Sequence, residues 1–139
     1  MTTPPAPTPL RILIAEDDAS VARHYRAYGL RRGHQVVVAR DGAEALAVAA
    51  TERPDVVLLD VIMPKMDGRD VLRRLKAQPA TASIPVVALS GLGGDQELRG
   101  QLVDLGAADV LEKPIDLAVA FAKVERVAAR RDPGPDAFP

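Results

Sequence analysis

The chain has 139 residues, enough for one ordinary domain and too few for two sizeable ones. Hydrophobic residues make up 47% and charged residues 27%, and 18 basic against 19 acidic side chains leave a net charge of −1, which gives no global attraction for nucleic acid or an anionic membrane. The absence of Cys excludes disulfides, thiolate metal sites and a thiol nucleophile, and no apolar run approaches the ~20 residues of a membrane span.

The N-terminus reads Met1-Thr2-Thr3-Pro4-Pro5, without the basic and apolar segments of a secretory signal, so the chain reads as soluble and cytoplasmic. Residues 1–9 read as a Pro-rich flexible head and 132–139 as a flexible tail, leaving 10–131 as the folded domain. Within it, short apolar runs alternate with segments of helical period. RILIA at 11–15 is the first strand, followed by a helix over about 19–32 and a second strand at 35–39. Asp41 opens a helix to about residue 52, with Glu44 completing a capping-box pattern. The run 55–59 is a third strand, and 68–78 is a helix with Val71, Leu72 and Leu75 inward. A fourth strand spans 85–89, a helix spans 96–105 and ends at Gly106, a fifth strand spans 109–111, and Asp116 caps a last helix over 117–130.

Five strands alternating with five helices predict an α/β fold, a parallel sheet covered on both faces. Continuous apolar strands fit burial on both sides. Ligands of such sheets gather at the carboxyl ends of the strands, so the residues there carry the chemistry. Glu16, Asp17 and Asp18 follow the first strand, Asp60 the third, Ser90 the fourth, and Glu112-Lys113-Pro114 the fifth. Packed carboxylates repel unless a cation offsets them, and an all-oxygen donor set suits Mg²⁺. One carboxylate can then act as nucleophile toward a phosphoryl group, with a hydroxyl and an ammonium stabilising the charge on its oxygens. The set is chemically complete for phosphoryl transfer to Asp60.

With ILIAEDD (12–18), VVLLDVIMPKMDG (56–68), IPVVALSG (84–91) and LEKP (111–114) in order, the sequence resembles the receiver domain of two-component response regulators over roughly residues 10–130. The resemblance implies a flavodoxin-like doubly wound five-stranded parallel sheet of order 2-1-3-4-5 with five helices. It makes Asp60 the phospho-acceptor, Asp17 a direct Mg²⁺ ligand and Glu16 a ligand acting through water. The backbone carbonyl of Ile62 is then a further ligand, Ser90 the switch hydroxyl and Lys113 its partner, aimed by a cis peptide before Pro114. Where the family often has Tyr or Phe, three residues before Lys113, this chain has Val110, so no aromatic ring reports the state of the site.

Other features have plainer explanations. Asp18 is a helix cap. His24 and His34, without an acidic partner at helical spacing, read as surface histidines. Arg69, Arg73, Arg74 and Lys76 read as a solvated helix face, with no DNA contact expected. Met63 and Met66 read as loop packing, and Gly91, Gly93 and Gly94 as a hinge after Ser90.

The expected function is a stand-alone response regulator phosphorylated on Asp60 by a histidine kinase or histidine phosphotransfer protein. It would signal to a downstream protein through the face of the fourth helix, fifth strand and fifth helix, with no membrane contact and no turnover of an external substrate. A Mg²⁺-dependent phosphatase is the alternative, but such enzymes want a second acid two residues after the nucleophile, where this chain has Ile62. A receiver-fold scaffold that is never phosphorylated is the third reading, and the intact acid, Ser and Lys set argues against it.

Overall fold

The computed structural model describes residues 8–63, 65–91 and 96–130, with Met66 described through its backbone alone. The head and tail expected at 1–9 and 132–139 lie outside the described residues, apart from Thr8 and Pro9. The elements run β1 (Arg11–Ala15), α1 (Ala19–Arg31), β2 (Gln35–Ala39), α2 (Gly42–Glu52) and β3 (Val56–Asp60). They continue with β4 (Ile62–Met63), β5 (Met66–Asp67), α3 (Gly68–Ala77), β6 (Val86–Ser90), α4 (Gln96–Asp104), β7 (Asp109–Glu112) and α5 (Leu117–Ala129).

Five strands form one parallel sheet in the order β2-β1-β3-β6-β7, which is the expected doubly wound order once the two small strands are set aside. Each central strand divides its side chains between two cores, because successive residues point to opposite faces. Leu13, Ala15, Val57, Leu59, Val86 and Ala88 face α2, α3 and α4, where they meet Ala45, Ala49, Val71, Leu72, Leu75 and Leu102. Ile12, Ile14, Val56, Leu58, Val87 and Leu89 face α1 and α5, against Tyr25, Phe121 and Val124.

Helix starts follow local chemistry. Asp18 accepts the Ser20 and Val21 N–H groups at 2.8 and 3.1 Å, Asp41 that of Glu44 at 2.9 Å, and Asp116 that of Ala118 at 2.9 Å. Such caps each contribute about 1 kcal/mol. The capping box at α2 closes one residue early, since Glu44 takes the N–H of Arg40 at 3.4 Å. Asp67 caps α3 through the Arg69 N–H at 2.9 Å.

Three readings are corrected. The segment after Asp60 contains an antiparallel hairpin, β4–β5, pairing Ile62 with Asp67 and Met63 with Met66. Two-residue strands are too short to show periodicity. Met63 accordingly packs in the core at 6% exposure. His34 is buried, with Nδ1 accepting the Leu10 N–H at 3.0 Å and Nε2 2.7 Å from Glu125, a partner 91 residues away that no local spacing reveals. Lys76 leaves the solvated face and donates to the Ala82 and Ile84 carbonyls at 3.1 and 2.7 Å.

Gly68, the first residue of α3, fixes the hairpin to the sheet. A Cβ built there would lie 2.4 Å from Val61 Cα and 2.7 Å from its carbonyl oxygen, both backbone atoms that cannot swing aside. Gly68→Ala is therefore expected to destabilise the domain by about 2 kcal/mol, a typical cost of overpacking. Urea unfolding checks this: a midpoint equal to wild type would show that the hairpin yields freely.

Candidate functional site

The carboxyl ends of β1, β3, β6 and β7 share one edge of the sheet, and the chemistry-bearing side chains converge there. The strand register is responsible. Asp60 and Ser90 are the last residues of β3 and β6, one position further along than the sequence pattern suggests. Glu16 and Asp17 begin the turn out of β1, where the Glu16 N–H donates to the Ala39 carbonyl of β2 at 3.0 Å.

Carboxylate oxygens of Glu16, Asp17 and Asp60 all lie within 4.8 Å of one another. Asp60 and Glu16 are only 2% and 3% exposed, while Asp17 is half-buried. Both oxygens of Asp60 are engaged. Oδ1 accepts the Ile62 N–H at 3.0 Å, and Oδ2 accepts Lys113 Nζ at the same distance. The Lys113–Pro114 peptide is cis, as the sequence resemblance implies. Ser90, 7% exposed, donates to the Leu111 carbonyl at 3.4 Å and has no hydrogen bond to Asp60 among the described residues.

One ammonium faces three carboxylates, and burial weakens the solvent screening that would relieve their repulsion. The consequence falls on Glu16. Burial first, then a hydrogen bond and the negative charge of Asp60, push its carboxyl up to about 8, with Lys113 pulling the other way. Burial also raises the Tyr25 phenol, with the charges of Glu16 and Asp60 adding to the effect. A divalent cation among these oxygens would reverse that balance. The donor set is hard and all-oxygen, and its spacing suits Mg²⁺.

Glu16, Asp17, Asp60, Ser90 and Lys113 are all at this edge. Ile62 lies beside the cluster, with its side chain 63% exposed at the start of the hairpin. Leu92, Gly93 and Gly94 lie outside the described residues. Sequence reasoning missed Arg40, whose Nη2 donates to the Asp17 carbonyl at 3.2 Å and so steadies the acidic turn. No motif marks such a contact, because it joins residues 23 positions apart through a backbone atom.

Because the folded state holds the Glu16 proton more tightly than the unfolded chain, the two states differ in bound protons between about pH 4.5 and about pH 8. Over that window the metal-free protein is expected to lose stability as pH rises, with no further loss from this group above it. Glu16→Gln should remove the slope. Melting temperatures in a chelator at about pH 5 and about pH 8 check this, and an unchanged slope in the mutant would place its origin elsewhere.

Comparison with known proteins follows the same pattern. The family described as the response regulator receiver domain matches residues 12–125. The response regulator PleD of Caulobacter vibrioides is 45% identical over 114 residues, covering 82% of this chain and 25% of PleD. The response regulator MprA of a Mycobacterium species is 38% identical over 130 residues, covering 92% of this chain and 55% of MprA. The chain thus spans between a quarter and about half of these relatives. Among solved structures, a putative response regulator from Chloroflexus aurantiacus superposes with a TM-score of 0.82 at 30% identity, over 88% of this chain and 100% of the other. The receiver domain of the sensor histidine kinase PA1611 from Pseudomonas aeruginosa, with a magnesium ion coordinated in its active site cleft, gives 0.77 at 28%, over 88% and 99%.

Proposed function

The chain belongs to the response regulator receiver domain family of two-component systems, and from that premise we propose that it takes a phosphoryl group on Asp60 from a histidine phosphodonor and thereby changes its affinity for a partner protein. The observation that carries this reading is the buried Asp60 carboxylate, paired at 3.0 Å with Lys113 and grouped with Glu16 and Asp17. A nucleophile for phosphoryl transfer must present an oxygen to phosphorus, and the Lys113 ammonium beside Asp60 is placed to offset charge on the incoming phosphoryl oxygens. In the transfer, an Asp60 oxygen bonds to phosphorus as the phosphorus–nitrogen bond of the donor histidine breaks, and the released imidazole takes up a proton.

Mg²⁺ would be held by Asp17, Asp60 and the Ile62 carbonyl, with Glu16 acting through water, and would neutralise charge on the phosphoryl oxygens. Lys113 stands within reach to follow the new phosphate charge. Among the described residues, the Ser90 hydroxyl has a long bond to Leu111 to give up if it turns inward. Its movement, together with that of Lys113, would carry the change to α4, β7 and α5. The domain turns over no external substrate in this reading. The exposed apolar Ile62 supports that, since hydrolytic enzymes of this type need an acid there. The partners are a histidine kinase or phosphotransfer protein upstream and a protein downstream, in the cytoplasm, without direct DNA contact.

The decisive experiment is labelling with acetyl phosphate, read by intact mass. Wild type should gain one hydroxylamine-labile phosphoryl group only with Mg²⁺, and Asp60→Asn should gain none while keeping its melting behaviour. Label on the mutant would make another residue the acceptor.

The phosphorylated form should be long-lived. Hydrolysis needs a water aligned behind phosphorus; the family resemblance places Ile62 and Leu92 at the mouth of the site, and neither side chain offers a hydrogen bond to orient one. Restoring one orienting contact of ~1.4 kcal/mol would speed the step about tenfold. The double variant Ile62→Asn with Leu92→Glu should therefore lose label faster after the donor is removed, at equal Mg²⁺. Decay as slow as wild type would shift control of the lifetime to the backbone.

A further inference from the structure

Val110 in β7 is 2% exposed and aliphatic, so its side chain has no polar tip with which to register a change at the site. The backbone of β7 is gripped instead. Arg99, from the middle of α4, donates from Nη1 to the Val110 carbonyl at 2.8 Å and brings Nη2 to 3.7 Å from Asp109 Oδ1. The next carbonyl, that of Leu111, accepts the Ser90 hydroxyl. Adjacent peptide groups of one four-residue strand are therefore held by two side chains, one from the acidic site and one from α4.

Asp109 extends the connection to α5. Its Oδ2 lies 2.9 Å from Lys123 Nζ, and its Oδ1 also accepts the Val110 N–H at 2.8 Å. Burial pushes the Asp109 carboxyl up, but hydrogen bonds from Lys123 and Val110, with the charges of Lys123 and Arg99, bring it below the usual range. It is an anion that holds α4, β7 and α5 together. A charge-assisted bond at 2.8 Å is stronger than a neutral hydroxyl contact at 3.4 Å, so Arg99 is the firmer of the two grips on β7.

We propose that Arg99 is the positioning residue that couples the Asp60 site to the surface, by holding α4 against β7 while the site is unphosphorylated. The proposal rests on the phosphoryl-acceptor reading of that site. When Ser90 leaves the Leu111 carbonyl, β7 loses one of the two side-chain hydrogen bonds to its carbonyls among the described residues, and the grip of Arg99 on Val110 then weighs more in the position of α4. Removing Arg99 lowers the cost of the displaced arrangement, raises its population before any phosphate arrives, and so speeds phosphoryl uptake.

The test compares Arg99→Met with Lys123→Met, which takes an equal charge from Asp109 but leaves the Val110 carbonyl held. With Mg²⁺ and acetyl phosphate, Arg99→Met should label about fivefold faster than wild type, the lower end of usual coupling effects, while Lys123→Met labels at the wild-type rate. Arg99→Lys, whose single ammonium cannot fork between the carbonyl and the carboxylate, should fall between. Without phosphate or metal, amide exchange at 96–104 should quicken in Arg99→Met while β1 and β3 keep their protection. A merely structural role would loosen α4 without speeding uptake. Labelled wild type with an unaccelerated Arg99→Met, or equal acceleration in Lys123→Met, would overturn the coupling role and leave the acceptor reading intact. Wild type that takes no label would overturn both.

Discussion

Three carboxylates and one ammonium share a partly buried corner of this protein, and most of the architecture can be understood as what it takes to put them there. The Asp60–Lys113 pair is the centre of that arrangement, at 3.0 Å with the Asp60 side chain almost wholly buried. Burying a charge is costly unless it is paired and hydrogen-bonded. Asp60 meets both conditions through Lys113 and the Ile62 N–H, whereas Glu16 accepts the Asp17 N–H at 2.9 Å but has no ion pair among the described residues, and burial drives its carboxyl upward. The site is therefore frustrated without a cation. That frustration suits the phosphoryl-acceptor role proposed for Asp60.

The scaffold is correspondingly stiff where the acids are anchored. Leu13, Ile14, Leu58 and Leu59, the residues just before the acidic ends of β1 and β3, are all 1% exposed or less and packed from both sides. At the opposite end of β1, buried His34 bonds to the Leu10 N–H and to Glu125, which Arg32 also grips with two hydrogen bonds. This clamp joins the entry of β1 to the α1–β2 turn and to α5. Restraint at both ends of β1 limits how far Glu16 and Asp17 can relax away from Asp60.

The β6–β7 edge is built differently. Packing alone does not hold α4 there: Leu102 is its fully buried side chain, and a guanidinium supplies further contact with β7. Polar ties of this kind break and re-form at lower cost than an interdigitated core, which has few alternative packings. A rigid acidic floor beside an edge joined by side-chain hydrogen bonds is a reasonable division for the proposed switch, which would keep one geometry and alter another.

Much of this was legible in the sequence, and what was legible has a common physical character. Strand and helix identity, the Asp caps at 18, 41 and 116, and the gathering of Glu16, Asp17, Asp60, Ser90 and Lys113 at strand ends follow from periodicity and local backbone chemistry. Those interactions span a few residues, so spacing alone reports them, and the sheet's parallel winding then dictates which loops meet. What the tertiary structure decided are the terms that depend on distant neighbours. The burial that raises Glu16, the Glu125 partner of His34, the hairpin after Asp60 seated on Gly68, and the reach of Arg99 to the Val110 carbonyl are of this kind. Each sets a charge or a backbone group against atoms far along the chain, or in the hairpin's case against a close backbone approach. The free energy of such a contact comes from desolvation and geometry, which exist only once the chain has folded.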